Sequence, residues 1–278
     1  MDANSYIHIS NIDLVIALLF IAISAAVSRW RRLGLERDMA VGTVRAFTQL
    51  LAVGFVLQQL FNVARWHWVV LALAIMTTVA AYNAVKRQTG AKHGLFAVMA
   101  AAIATGASIT LILVIGVVLR VRPWYQPQYV IPIAGMVIGN CMTGAALVVN
   151  RLHSELTLRR NQVEAALALG APAKEAASEA MRESLRAAMM PTINSMMTVG
   201  LVHLPGMMTG QMISGASPVD AVRYQIVVML MIAAATAVTA MVAVFGALRA
   251  FFTSFHQLSA RLELGEAWDA YVRNKPKD

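Results

Sequence analysis

The side chains best suited to bind a small ligand cluster in one segment of the chain, residues 191–225. Pro205 has no backbone N–H, and its ring clashes with the carbonyl four residues earlier, so a helix here should kink or break. A helix broken inside a membrane exposes backbone polar groups and is a common element of transport sites. We therefore predict a substrate path at Pro205–Gly206. Its flanking residues are His203, Met207, Met208 and Gln211, with Asn140 from an earlier segment as a neighbour.

The chemistry of this path depends on which donors a ligand meets. Thioether sulfur and imidazole suit late first-row metals, which makes His203, Met207 and Met208 candidate metal ligands. Amide and carbonyl oxygens would suit a harder or a hydrated ion. The mixture favours transient, low-affinity passage over a tight cage. Methionine is also a flexible packing residue, so most of the 17 methionines should only pack.

A second candidate site lies at residues 164–170, with the sequence EAALALG. Glu164, Ala165, Ala166 and Gly170 match the start of the EAA-x-x-x-G pattern, which in ABC importer permeases marks the loop that docks on the ATP-binding subunit. The Ile-x-Leu-Pro that continues this pattern is missing. We predict a helix capped by Ser154 and ended by Gly170, and then a second helix over residues 174–190. The alternative interpretation is an incidental Ala-rich helix.

The composition requires a membrane around these sites. The chain has 278 residues, of which 59% are apolar and 13% charged, far fewer charged residues than the roughly 25% of a soluble domain. Seven apolar segments are each long enough to cross a bilayer as a helix. They are residues 9–28, 41–61, 66–85, 95–119, 129–149, 191–213 and 226–248. We predict an all-α membrane protein with seven transmembrane helices and a single domain over residues 1–278.

The distribution of basic residues predicts the orientation. The loops on one side carry 18 Lys and Arg residues, and the loops on the other side carry 4. The positive-inside rule then places the N-terminus outside and the C-terminus inside. A coupling segment at about residues 150–190 and a tail at about residues 249–278 would be cytoplasmic. The net charge of +9 is thus explained by topology, and we expect no nucleic-acid partner.

Polar residues inside the predicted spans are few. Arg45 lies about one turn inside the second span, where it would either snorkel to the surface or pair with Gln49 or a lipid phosphate. Of the 14 carboxylates, only Asp13 falls inside a span, near its outer end. This disfavours an ion-coupled carrier. The chain also lacks a phosphate-binding loop and paired catalytic groups, so we expect no enzyme activity and no cofactor on this chain.

Three motifs together resemble the Fet-type iron-export permeases and the plant aluminium-sensitive-three protein. They are RAFTQL at residues 45–50, GMVIGN at residues 135–140, and the P…VGLVHLPGMMTGQMISG…YQ signature of residues 191–225. The resemblance covers nearly the whole chain. It implies a permease of the bacterial inner membrane that works as a homodimer with a separate ATP-binding subunit, which holds the ATP. Metal export or metal tolerance is the implied function.

Two other functional classes remain open at this point. One is an ATP-independent carrier or channel for a small polar solute. The other is a receptor or scaffold that transports nothing.

Overall fold

A computed structural model describes residues 10–63, 65–88, 94–253, 255 and 257–259, and the regular structure of these residues is helical. The long helices before the predicted coupling segment are α1 (Asn11–Arg31), α2 (Glu36–Val63), α3 (Trp66–Lys86), α4 (Leu95–Leu113) and α5 (Pro127–Leu158). A π-helical turn, Val114–Val118, extends α4. The remaining helices are α6 (Arg160–Ala168), α7 (Ala173–Ala176), α8 (Ser178–Thr198), α9 (Gly206–Ile213) and α10 (Pro218–Phe251).

Six of the helices in the described ranges are long and apolar enough to cross a membrane: α1, α2, α3, α4 with its π turn, α5 and α10. The prediction of an all-α membrane protein is confirmed. The segment predicted as the sixth of seven spans, residues 191–213, is not one continuous helix. Its first part belongs to α8 and its last part forms the separate helix α9.

The centre of the bundle is formed by α5 and α10, which pack against each other. α4 packs against both, α3 packs against α4 and α5, and α8 packs against α5 and α10. Glycines allow the closest approaches of α10. A Cβ on Gly144 of α5 would lie 2.7 Å from Thr236 Cγ2, and one on Gly246 would lie 2.5 Å from Val98 Cγ1 of α4.

The first two helices lie at the edge of this bundle. α1 contacts α2, and α2 has few contacts with α5. No residue of α2 is buried, and large side chains such as Phe20 and Leu50 are each 73% exposed. Arg45 and Gln49 lie on this exposed surface. At the start of α1, the Asp13 carboxylate accepts the Ser10 N–H at 2.8 Å, while the Ser10 hydroxyl accepts the Asp13 N–H. The carboxylate predicted inside a span is therefore part of a helix cap.

The helix boundaries predicted for the coupling segment were partly wrong. Ser154 caps no helix, because α5 continues through it to Leu158 and α6 starts only at Arg160. The helix predicted over residues 174–190 is divided between α7 and α8, and α8 continues through Pro191 to Thr198. The apolar residues begin near Pro191, inside α8, so the change in hydropathy does not mark a helix end.

Candidate substrate site and coupling region

The predicted break in the sixth segment is present. α8 ends at Thr198, and Val199 has the extended dihedrals φ −63° and ψ 137°. Gly200 follows with φ +80°, a conformation that favours glycine, and its N–H donates to the His203 carbonyl at 3.0 Å. Pro205 precedes the first turn of α9, where its missing N–H costs no hydrogen bond. The residues between α8 and α9 therefore form a compact turn.

A cavity of about 310 Å³ lies beside this turn, between α5, α8 and α10. Five predicted path residues line it: Asn140, His203, Pro205, Gly206 and Met207. Met208 and Gln211 are half-buried on α9 and do not line the cavity. Five of the seven residues predicted for the substrate path thus line one cavity, and the other two lie outside it.

The polar side chains that α5 contributes to the cavity offer it hydrogen-bond acceptors. One N–H of the Asn140 amide donates to the Met136 carbonyl at 2.8 Å, which leaves the amide oxygen and the second N–H available. The Thr143 hydroxyl donates to the Gly139 carbonyl at 3.1 Å, which leaves its lone pairs available. No Asp, Glu, Lys or Arg of the described residues lines the cavity.

Two lining residues on α10 were missed by the sequence analysis. Gln225 is 8% exposed and Thr236 is 2% exposed, and in the described structure neither Gln225 Oε1 nor Thr236 Oγ1 has a hydrogen-bond partner. Residues 225, 229, 232 and 236 line the cavity at spacings of three or four, so they share one helix face. Polar side chains on one face of an otherwise apolar span usually point into the protein interior, and this signal was available in the sequence.

The three candidate metal ligands are not brought together at one point. His203 is exposed, Met207 is half-buried, and Met208 lies outside the cavity. The described residues include no group of three or more His, Cys, Asp or Glu side chains placed to hold a metal. Cys141 is fully buried in the helix core. The described residues thus form a cavity with polar and apolar walls and no Asp, Glu, Lys or Arg, and no compact metal centre.

The segment of the EAA pattern forms a small projection, α6–α7, after the end of α5. Gly170 has φ +91°, as expected for a residue that ends a helix in the left-handed region. Its N–H donates to the Leu167 carbonyl, and the Ala171 N–H donates to the Ala166 carbonyl, both at 3.0 Å. These two bonds form a Schellman motif, so the predicted helix end at Gly170 is confirmed.

The projection has one packed face and one exposed face. Val163, Ala173 and Ala177 are buried against the bundle, and the Lys174 ammonium lies 5.2 Å from the centre of the Phe245 ring. Glu164 and Ala165 are exposed, Ala166 is half-buried, and the Glu164 carboxylate pairs with Arg160 at 2.7 Å. The projection is thus anchored to the bundle and presents part of the EAA pattern outward.

A groove of about 420 Å³ separates α6 from the segment that follows α10. Glu164, Leu167 and Ala168 line one side, and Phe255 and Leu258 line the other. Leu169 beside the groove is 90% exposed, and Phe255 is 82% exposed. Two large exposed apolar side chains thus lie near a groove that carries one carboxylate, Glu164.

A buried carboxylate holds the end of α5 next to this projection. Glu155 is 3% exposed and pairs with Arg151 at 2.7 Å and with Arg159 at 2.9 Å. The hydrogen bond from Arg159 to Glu155 raises the pKa of the Arg159 guanidinium above its usual value. Because Arg159 is the residue directly before α6, this network fixes the point at which the chain leaves α5.

Comparison with known proteins places this architecture in a family. A family model described as "Uncharacterised protein family (UPF0014)" matches residues 11–252. The chain belongs to UPF0014. It is 41% identical to the UPF0014 membrane protein STAR2 of Oryza sativa subsp. japonica, over 88% of this chain and 85% of the rice protein. It is also 38% identical to the protein ALUMINUM SENSITIVE 3 of Arabidopsis thaliana, over 88% of this chain and 89% of that protein.

A bacterial UPF0014 relative has a functional name. The chain is 37% identical to the probable iron export permease protein FetB of Escherichia coli strain K12, over 90% of this chain and 95% of FetB. These matches confirm the resemblance to Fet-type permeases and to the aluminium-sensitive-three protein. No solved structure matches the chain. The UPF0014 match includes the broken segment, the cavity and the α6–α7 projection.

Proposed function

We propose that this UPF0014 protein is the permease subunit of an ABC-type transporter that exports iron or related metal ions. A separate ATP-binding subunit would supply the energy. The observation that carries this proposal is that one helix, α8, connects the projection to the cavity. It begins at Ser178, directly after the buried Ala177, and its residues Ala188, Pro191 and Ser195 line the cavity.

The length of α8 makes it suitable as a lever. From Ser178 to Ser195 the helix rises by roughly 25 Å at 1.5 Å per residue. A partner that moved the α6–α7 projection would displace the start of α8, and the other end would move against the cavity. Because α8 ends at the break, its movement does not need to carry α9 with it. ATP-driven movement at the projection would thereby change access to the cavity.

The ATP-binding subunit would dock on the exposed face of the projection. The groove between α6 and the side chains of Phe255 and Leu258 combines the Glu164 carboxylate with apolar surface. Leu169 and Phe255 are exposed. A helix–glycine–helix projection of this kind fits a cleft in a partner protein. The E. coli relative is named a probable iron export permease, which supports the choice of metal as the substrate class.

A second copy of the same chain would cover part of the α1–α2 hairpin. Arg45 and Gln49 lie one turn apart on α2 and are exposed, and the described chain provides neither with a hydrogen bond or an ion pair. Polar side chains within a span usually face a protein interior or a water-filled path. We therefore place the homodimer interface on this face of α2. The basic loops would lie in the cytoplasm of a bacterium, with the protein in the inner membrane.

The decisive experiment measures iron transport in inverted membrane vesicles. The chain is expressed with and without a candidate ATP-binding subunit from the same organism, and uptake of radiolabelled iron is followed with and without ATP. We expect uptake only when both subunits and ATP are present, and co-purification of the two chains. Equal uptake without ATP would favour an ATP-independent carrier, and no uptake under any condition would contradict metal export.

A further inference from the structure

We propose that the cavity binds its metal ion in hydrated form, through the water molecules of the ion, with Gln225 and Thr236 as binding residues. This inference rests on the proposed metal export and specifies the form in which the metal binds. It differs from direct ligation by His203, Met207 and Met208, which the sequence had suggested.

Two buried side-chain oxygens of α10 indicate a ligand that donates hydrogen bonds. Gln225 Oε1 and Thr236 Oγ1 are buried, line the cavity and have no hydrogen-bond partner among the described residues. Buried polar atoms are nearly always paired, because an unpaired one loses its hydration without compensation. A ligand that brings hydrogen-bond donors into the cavity would satisfy both atoms.

The facing wall on α5 also offers acceptor oxygens. One N–H of the Asn140 amide and the Thr143 hydroxyl donate to main-chain carbonyls of α5, at 2.8 Å and 3.1 Å. The amide oxygen of Asn140 and the lone pairs of Thr143 remain as acceptors for a ligand, beside the second N–H of the Asn140 amide. Oxygens of both central helices can therefore accept hydrogen bonds from a ligand that carries donors on more than one side.

The described lining of the cavity has no negative charge that could replace the hydration shell of a cation. No carboxylate of the described residues lines the cavity, and Asp13, the only carboxylate in a predicted span, is part of the α1 cap. Removing the water from a multivalent cation is costly unless charged ligands replace it. A cation entering this cavity should keep its inner water molecules. Those molecules are strong donors, because the ion polarises them.

The dimensions and the polarity of the cavity agree with this form of the ion. Six water molecules at about 30 Å³ each occupy about 180 Å³, which fits within the cavity of about 310 Å³. The wall at Gly206 and Met207 is the N-terminal end of α9. The positive end of a helix dipole disfavours a nearby cation. The ion should therefore lie closer to Gln225 and Asn140 than to Met207.

The test uses hexaamminecobalt(III), a cation whose ammonia ligands exchange too slowly to be lost and which presents only N–H donors. The full chain is purified in lipid nanodiscs without a partner, and binding of radiolabelled iron(II) is measured under anaerobic conditions without an added reductant, so that cobalt(III) is not reduced. Hexaamminecobalt(III) should displace the iron at concentrations within about tenfold of those required for unlabelled iron(II). Gln225→Leu and Thr236→Val should each weaken both interactions by about tenfold, the value of one hydrogen bond.

Matched variants distinguish an effect on iron binding from an effect on folding. Thr239→Val makes the same change as Thr236→Val one turn further along α10, at a buried hydroxyl that faces Gly106 and does not line the cavity. It should leave iron affinity within about threefold. Gln225→Leu and Thr236→Val should not lower the thermal unfolding temperature, because each removes an unsatisfied buried polar group.

Three results would overturn the inference. They are no displacement by hexaamminecobalt(III), iron affinity that depends on His203 or Met207 and not on Gln225, and no iron binding at millimolar concentration. If hexaamminecobalt(III) competes and the Gln225 variant loses binding, the hydrated-ion site stands even where vesicles show no ATP-dependent export. In that case only the proposed coupling to ATP fails.

Discussion

Glu155 is the only buried charged side chain among the described residues, and its two arginines lie one turn away on either side. Removing a carboxylate that accepts charged hydrogen bonds costs about 1.5–3 kcal/mol. We expect Glu155→Ala to lower the stability of the purified protein by an amount in this range, measured as the thermal unfolding temperature in detergent. This loss of stability should be measurable for the purified chain without a partner subunit, because Glu155 and its two arginines all lie at the C-terminal end of α5.

The control for this variant is Glu164→Ala on the next helix. Glu164 also pairs with an arginine one turn away at 2.7 Å, but both side chains are nearly half exposed. Exposed pairs contribute only about 0.2–1 kcal/mol, so the unfolding temperature should barely change. Equal losses in the two variants would show that burial does not determine the contribution of Glu155.

Gly170 provides a second prediction at a single residue. At φ +91° a β-branched side chain is strongly disfavoured. Gly170→Val should therefore rearrange the end of α6 and the exposed face beside it. We expect the ATP-binding subunit to co-purify poorly with this variant, while the chain itself still folds, because Gly170 is exposed and a Cβ there has no other atom within 4 Å.

Gly170→Asn is the appropriate comparison, since asparagine tolerates the left-handed region better than other residues. It should retain most of the co-purifying subunit and most of the transport. Full transport by Gly170→Val would contradict coupling through this projection.

Some of the residues that line the cavity were predicted from the sequence, and others were not. His203 and Met207 were predicted because they flank a proline and a glycine that interrupt an apolar run. Gln225 and Thr236 were missed because Gln225 follows Arg223 and Tyr224 at the edge of the apolar run and Thr236 stands among apolar neighbours, so that only their common helix face connects them. A single sequence gives the spacing of such residues along one helix, but it does not show which other helix packs opposite.

At the scale of helices, apolar length predicted the position of all six long spans found in the described ranges. Boundaries outside the membrane were less predictable. A serine suited to capping, Ser154, lies within α5 because the buried Glu155 network continues the helix past the apolar run. Pro191 lies within α8, where its effect is limited to one missing N–H and a local distortion. Hydropathy reports where a helix enters the membrane, and capping residues alone do not report where it ends.

The contact between α4 and α10 yields a prediction for the packing of two helices. A Cβ at Gly106 would overlap Thr239 Oγ1 and would lie 2.9 Å from the Ala235 carbonyl oxygen. Because one of these atoms belongs to the backbone, a side-chain rotation cannot relieve the overlap. Gly106→Ala should therefore force the helices apart and destabilise the protein by about 1–3 kcal/mol. Thermal unfolding of the purified chain measures this.

Gly54→Ala on α2 makes the same change with no atom within 4 Å of the new Cβ. Alanine is the better helix former by roughly 0.5–1 kcal/mol, so this variant should be unchanged or slightly more stable. If both variants behave alike, the close approach at Gly106 does not hold the two helices together.

At the scale of the whole molecule, the packed part and the exposed part have different roles in the proposed transporter. The bundle around α5 and α10 holds the cavity, and α8 joins it to the α6–α7 projection. The α1–α2 hairpin contributes almost nothing to this core and exposes Arg45 and Gln49. The apolar length of α1 and α2 was therefore enough to predict two spans from the sequence. The sequence did not predict which protein surface packs against their exposed faces.

The orientation of the molecule gives the last prediction. With 18 basic residues in the loops of one side and 4 in those of the other, the loop before α5 should be outside and the projection inside. Replacing Cys141 by Ala removes the single cysteine, and new cysteines are then introduced separately at Gln126 and at Ser178. In intact cells a membrane-impermeant thiol reagent should label the cysteine at residue 126 alone. After the cells are opened, it should label the cysteine at residue 178 as well. Labelling at residue 178 in intact cells would place the α6–α7 projection outside, where no ATP-binding subunit could reach it, and would end the proposed mechanism.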